Sequence, residues 1–192
     1  MSETEANNKN EQMDEITFGF SRPRGFSLGS WVIRLVERRP YSHVYIKRHS
    51  EWMKRDLIYQ ATATMVHFIG SKLFIKDSCR VVEYSFDITK EREKELMAWC
   101  VDNAGLSYGF KQILGMAYVR FLEFLGKTDV HNPFADSSRA TWICSKLAAI
   151  ALVDILQAAE ISEKDLANAG PSMVEKILQT IPNVRVTNYE SC

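Results

Sequence analysis

The residues of this chain best suited to chemistry are one cysteine and one histidine. Cys144 stands in Ala140-Thr141-Trp142-Ile143-Cys144-Ser145-Lys146-Leu147, where an apolar run begins. With Thr141 as N-cap, Cys144 falls in the first turn of a helix. Unpaired peptide N–H groups and the helix macrodipole favour an anion there. A thiol so placed has its pKa lowered, and the thiolate is the nucleophile. On position alone, a small core residue ahead of Leu147-Ala148-Ala149 is the stronger reading. His43 stands in Pro40-Tyr41-Ser42-His43-Val44-Tyr45-Ile46, near the start of an apolar strand. Taken singly, it reads as a sheet-end histidine bonded to backbone. A general base must reach the thiol from a rigid element, and a sheet facing a helix N-terminus supplies that geometry.

Other chemistries lack residues. His43 and His49 share a strand face but stand about 20 Å apart at ~3.3 Å per residue. No His or Cys pair has zinc-site spacing, so no metal site is expected. There is no G-x-x-x-x-G-K-[ST], no G-x-G-x-x-G and no G-x-S-x-G. No cofactor is expected. The cysteines, Cys79, Cys100, Cys144 and Cys192, are scattered without a C-x-x-C. Reduced thiols are the expectation.

The elements that must position Cys144 and His43 follow from pattern. The chain has 192 residues, 46% of them apolar, which suits one domain with a sizeable core. Residues 1–15 read as a disordered polar tail and 16–192 as a single domain. Phe18, Phe20 and Phe26 suggest a strand and a loop, and Ser30–Arg38 a short amphipathic helix. Strands are expected at Tyr41–Lys47, at Leu57–Phe68 (one long or two shorter) and at Arg80–Phe86. Thr89 is a good N-cap for a helix ending near Gly105. Phe110–Leu125 reads as a helix apolar around most of its girth. Thr141–Ala159 reads as another, and Pro171 suits N1 of a last one. Ser162-x-x-Asp165 resembles a capping box, and Val184–Val186 a final strand. Strands first and helices after make an α+β pattern with an antiparallel sheet.

Charge is balanced at 24 basic and 24 acidic residues. Arg22, Arg24, Arg34, Arg38, Arg39, Lys47 and Arg48 cluster early, but Glu37 and Glu51 dilute them. A solvated charged face is the expected role, and no nucleic-acid partner is expected. No apolar run reaches the ~20 residues of a membrane span, and no export signal is visible. A cytoplasmic protein of phage or bacterial source is expected.

The motifs gain specificity in combination. Pro-Tyr-Ser-His-Val at 40–44, a polar residue on the next strand, Gly105-x-x-Tyr108 and Cys144-Ser145 opening a helix form an ordered set. The set resembles the circularly permuted papain-like cysteine hydrolases of the NlpC type, in particular the YiiX-like branch. Lecithin:retinol acyltransferase is a more distant relative in that clan. In the permuted branch the histidine strand precedes the cysteine helix, as here. The resemblance spans roughly residues 18–181. It implies an antiparallel sheet packed against the helix that carries the cysteine.

It also implies roles. Cys144 would be the nucleophile and His43 the general base. Gln60, in Leu57-Ile58-Tyr59-Gln60-Ala61, matches the polar residue that orients the imidazole. Relatives often carry an acid there, so Gln60 is a departure. An amide can hold a ring nitrogen but cannot stabilise an imidazolium by charge. His67 is a rival, set aside because an odd separation from Gln60 puts it on the other face of one regular strand. Tyr41, Tyr108 and Trp142 are candidates for substrate contact. The implied activity is hydrolysis of an amide or ester through an acyl-enzyme, on a peptide-like or acyl-containing substrate. The alternatives are a catalytically weak or inactive binding module, and a lipid acyltransferase or thioesterase. The 110–125 helix, read first as core, would be the lipid contact in the last case.

Overall fold

The computed structural model describes residues 13–108, 141–158 and 169–189, with positions 115, 118, 119, 122, 126, 127, 130, 160, 161 and 166 between them. Phe110–Leu125 falls largely outside these residues, and Ser162-x-x-Asp165 wholly. The side chains of Tyr108, Thr141 and Trp142 lie outside them too.

Alternation builds the first strand. In β1 (Met13–Pro23) Ile16, Phe18 and Phe20 point one way and Thr17, Gly19 and Ser21 the other, the period of a pleated strand. The tail expected over residues 1–15 does not include Met13, Asp14 and Glu15, which pair with Thr89, Ile88 and Asp87. Helix α1 (Leu28–Glu37) follows, with Ser27 capping the N–H of Ser30. Then come β2 (His43–Ser50), β3 (Arg55–Ala61) and β4 (Val66–Gly70). The stretch read as one strand or two is therefore two, split by a turn. Helix α2 (Ser71–Asp77), which the sequence pattern did not suggest, leads into β5 (Ser78–Thr89). Thr89 then caps α3 (Lys90–Asp102) by accepting from the Arg92 N–H, as its type predicts.

These strands form a six-stranded sheet in the order β4-β3-β2-β1-β5-β8, antiparallel throughout, with β8 (Arg185–Asn188) on the edge. A small parallel pair joins β6 (Ser107–Tyr108) to β7 (Thr141–Trp142). The cysteine helix α4 (Cys144–Ile150) runs straight into a π-helical stretch, Ala151–Ile155. The last helix, α5 (Pro171–Thr180), carries Pro171 at its first turn as expected. The described fold is thus mixed α and β, with five helices and an antiparallel sheet.

One sheet face is apolar. Ile16, Phe18, Phe20, Val44, Ile46 and Tyr59 pack against Leu96 of α3, Leu147 and Ala148 of α4, and Val174 and Leu178 of α5. Each fully buried side chain of this size contributes about 1.5–3 kcal/mol. The other face holds a smaller cluster of Tyr45, Ile58 and Phe74. It also carries a register row across five strands: Glu83, Gly19, Tyr45, Gln60 and His67. A Cβ on Gly19 would lie 2.1 Å from the Tyr45 ring. Glycine there lets that ring cross β1, so that its hydroxyl donates to Glu83 at 2.6 Å. Among the described residues no helix is long and apolar enough to cross a membrane.

Candidate active site

His43 opens β2 and Cys144 opens α4. The sequence placed the N-cap at Thr141. It is Ile143, whose carbonyl accepts the Leu147 N–H at 3.0 Å, so Cys144 is the first helical residue. Thr141 and Trp142 belong to β7 instead. A β strand running directly into the helix leaves no side-chain cap, so the first-turn N–H groups remain for other acceptors.

The imidazole of His43 and the thiol of Cys144 face one another closely enough for each to shift the other's protonation. His43 Nε2 donates to Gln60 Oε1 at 2.9 Å, which leaves Nδ1 for the sulfur. The Gln60 amide nitrogen donates to His67 Nε2 at 3.3 Å. His67 Nδ1 donates to the Met65 carbonyl at 3.2 Å. Each bond dictates the next. The Met65 carbonyl sets the His67 tautomer, His67 sets which way the Gln60 amide points, and Gln60 sets the His43 tautomer.

Electrostatics follow from this chain. Burial opposes charge on both members of the pair. On His43 the facing Cys144 thiolate, its hydrogen bond and the Gln60 carbonyl outweigh burial and raise the imidazole pKa. On Cys144 the imidazolium and its hydrogen bond, aided by the N–H groups of Val44 and Ser145, outweigh burial and lower the thiol pKa. An opposite charge and donors to the charged form are the causes.

A cleft of about 460 Å³ adjoins this row, lined by His43, Gln60, His67, Ile33 and Phe74 among others. Cys144 is not among its lining residues, and only 5% of it is exposed. Ser21 also lines the cleft. It pairs in register with His43, beside an irregularity in the β1–β5 ladder at Phe20/Ser21. Its hydroxyl is buried and has no hydrogen-bond partner among the described residues. A bulge of this kind re-aims side chains near sites. Ser42, just before His43, bonds Ser30 of α1 through their hydroxyls at 2.6 Å, which ties the start of β2 to the helix beside the cleft.

Sequence reasoning and structure part at several residues. Tyr41 is buried, and its hydroxyl donates to Glu175 of α5 at 2.6 Å; burial and that carboxylate raise its pKa. It therefore has no surface to offer a substrate. Tyr108 and Trp142 are backbone partners in the β6–β7 ladder. That ladder brings the Gly-x-x-Tyr segment beside the residues leading into Cys144. His67 was set aside on strand parity, but the turn between β3 and β4 places it directly opposite Gln60. The turn signal was there in Ala61-Thr62-Ala63-Thr64, the weak middle of the run. Ser21 left no signal, because a lone serine in a strand reads as an outward polar residue. Reduced thiols were expected throughout; Cys100 and Cys144 are free, whereas Cys79 is disulfide-bonded.

No family model matches the chain, and no curated protein matches it. Among solved structures it is similar to the metalloprotein YiiX from Escherichia coli O157:H7. The identity is 14% and the TM-score 0.56, over 93% of this chain and 97% of that one. The likeness is one of fold, and the chain has a YiiX-like arrangement of sheet and helices. The metal belongs to that protein's description. Among the described residues here, no group of three His, Cys, Asp or Glu side chains is placed to hold an ion. His43 and His67 already spend both Nε2 atoms on the Gln60 amide, so this donor set does not fit one.

Proposed function

We propose that the chain is a cysteine hydrolase acting on an amide or ester bond, built on a permuted papain-like fold of the NlpC type. The facing pair of Cys144 and His43, each shifting the other's protonation, carries this reading. His43 accepts the thiol proton, and the sulfur attacks a carbonyl carbon. The resulting oxyanion collapses, the amine or alcohol leaves with the proton held by His43, and a thioester remains. Water then gives a proton to His43 and attacks the thioester, releasing the acid and restoring the thiol. The cleft beside His43 receives the peptide-like or acyl-containing substrate, with the Ser21 hydroxyl free to donate to it.

The neutral Gln60 favours a second reading, a catalytically weak module that binds such ligands. It orients His43 but adds no charge to stabilise the imidazolium. Alkylation with iodoacetamide near neutral pH separates the two. The hydrolase reading expects Cys144 to react much faster than Cys100 and expects hydrolysis of a p-nitrophenyl ester that Cys144→Ala abolishes. Equal labelling of the two thiols would sink it; fast labelling without turnover would favour the binding module.

A further inference from the structure

Helix α1 is turned inside out. At about 100° per residue, Leu28, Trp31 and Leu35 share one face, with Ser30, Ile33 and Glu37 opposite. It is Ser30 that is buried. Leu28, Trp31 and Leu35 are exposed, Leu35 at 62%, and Phe26 just before the helix is 88% exposed. Amphipathic helices of globular cores show the reverse.

Beside this stripe lies a second cavity, of about 320 Å³, lined by Arg22, Arg24, Arg34 and Phe26 among others. Arg24 Nε donates to the Ile75 carbonyl at 2.9 Å and Arg34 Nε to the Ser30 carbonyl at 3.4 Å. None of the three arginines has an ion pair among the described residues. In a chain with no net charge, three guanidinium groups gathered around one hollow make a concentrated anion seat. Their planar forks suit phosphate oxygens.

We propose that this face docks on an anionic phospholipid surface. The apolar stripe enters the headgroup–acyl boundary, and the arginine cavity takes a lipid phosphate. Both halves are needed to choose the partner. A nucleic acid would use the arginines but leave Phe26, Leu28 and Leu35 in water. A second copy would cover the stripe but set arginines against arginines, which is repulsive. A membrane interface satisfies an apolar face flanked by cations.

Sedimentation of the full chain with vesicles tests this. Binding is expected to vesicles of phosphatidylcholine with phosphatidylserine and not to phosphatidylcholine alone. The pair Arg24→Glu and Arg34→Glu, and separately Trp31→Ser and Leu35→Ser, should each weaken binding about tenfold. Arg24, Trp31 and Leu35 are exposed and Arg34 is half-buried, and melting by circular dichroism should be preserved. Cys144→Ser should bind as the parent does, whatever becomes of the hydrolase reading. Failure to bind anionic vesicles, or binding unchanged by both pairs, overturns the proposal. So does full displacement by inorganic phosphate, or heparin retention without vesicle binding. A light-scattering dimer that Leu35→Ser dissolves, again without vesicle binding, would assign the stripe to a second copy and overturn it too.

Discussion

Among the described residues two cysteines are free and nearly sealed, and their surroundings act on them in opposite directions. Cys100 is 1% exposed in α3 and Cys144 is 5% exposed at the start of α4. Around Cys100 burial acts alone and pushes the thiol well above its ordinary range. Around Cys144 the same burial is outweighed by the His43 imidazolium and by the N–H groups of Val44 and Ser145. Burial therefore does not decide reactivity. What decides it is whether the sulfur sits in a helix's last turn, where the N–H groups are spent within the helix, or at its first residue, facing a base.

The largest test of the contrast removes the sulfur itself. Cys144→Ala should abolish ester hydrolysis, while Cys100→Ala should leave it intact at some cost in stability. A parallel assay of the two variants decides the matter, and retained turnover in Cys144→Ala would end the contrast. Next comes the base. In His43→Ala only the N–H groups of Val44 and Ser145 still oppose burial, and Cys144 should move toward the behaviour of Cys100. Its alkylation rate near neutral pH should fall on the order of a hundredfold, read by mass spectrometry of the labelled thiol.

pH sharpens the same comparison. The Cys144 pKa is depressed and the His43 pKa raised, so the thiolate–imidazolium pair persists between the two. Alkylation of Cys144 should continue at pH values where an ordinary thiol has fallen silent, and decline only as pH drops through the depressed thiol pKa. If the proposed hydrolysis takes place, with the His43 proton going to the leaving group, turnover should decline as pH rises through the raised imidazole pKa. Cys100 should stay unreactive across that window. A Cys144 profile that merely tracks an ordinary thiol would remove the pair's influence.

How much of this contrast the sequence discloses depends on which interactions are local. The Thr89 cap, the Pro171 helix start and the His43 strand are written in adjacent residues, and they appear where expected. The order of histidine strand and cysteine helix is also readable. The partners of Gln60 and Tyr41 are not. Gln60 meets His67 because a turn at residues 62–65 folds β4 back in register, and a parity count along one strand inverts that. Tyr41 is claimed by Glu175, 134 residues away, which no local pattern encodes. Helix α2 was missed because Ser71–Asp77 is short and framed by strands, where apolar residues read equally well as extended.

The anchor behind the base supplies a middling effect. Gln60→Ala frees the imidazole to rotate and should lower turnover about tenfold to a hundredfold. His67→Ala acts one bond further out and should cost less. Gln60→Glu restores a charge beside His43 and should raise the imidazole pKa further, moving the alkaline limb of the turnover profile upward. If Gln60→Ala and the parent share one pH profile and one rate, the hydrogen-bond chain has no part in setting Cys144 apart from Cys100.

The smallest expected effect lies at Ser21, and it probes the cleft side of the pair. Its hydroxyl is buried with no partner among the described residues, and its strand neighbour is His43. Removing an unpartnered buried hydroxyl breaks no internal hydrogen bond and relieves a desolvation cost. Ser21→Ala should therefore melt at the parent temperature or slightly above. If the hydroxyl donates to bound substrate, KM should rise about threefold to tenfold, the value of roughly one hydrogen bond, with kcat unchanged. Thiol alkylation by a small reagent should not move. A lowered melting temperature with unaltered KM would make Ser21 a packing residue. The polar demand of the cleft would then have to come from elsewhere in its lining.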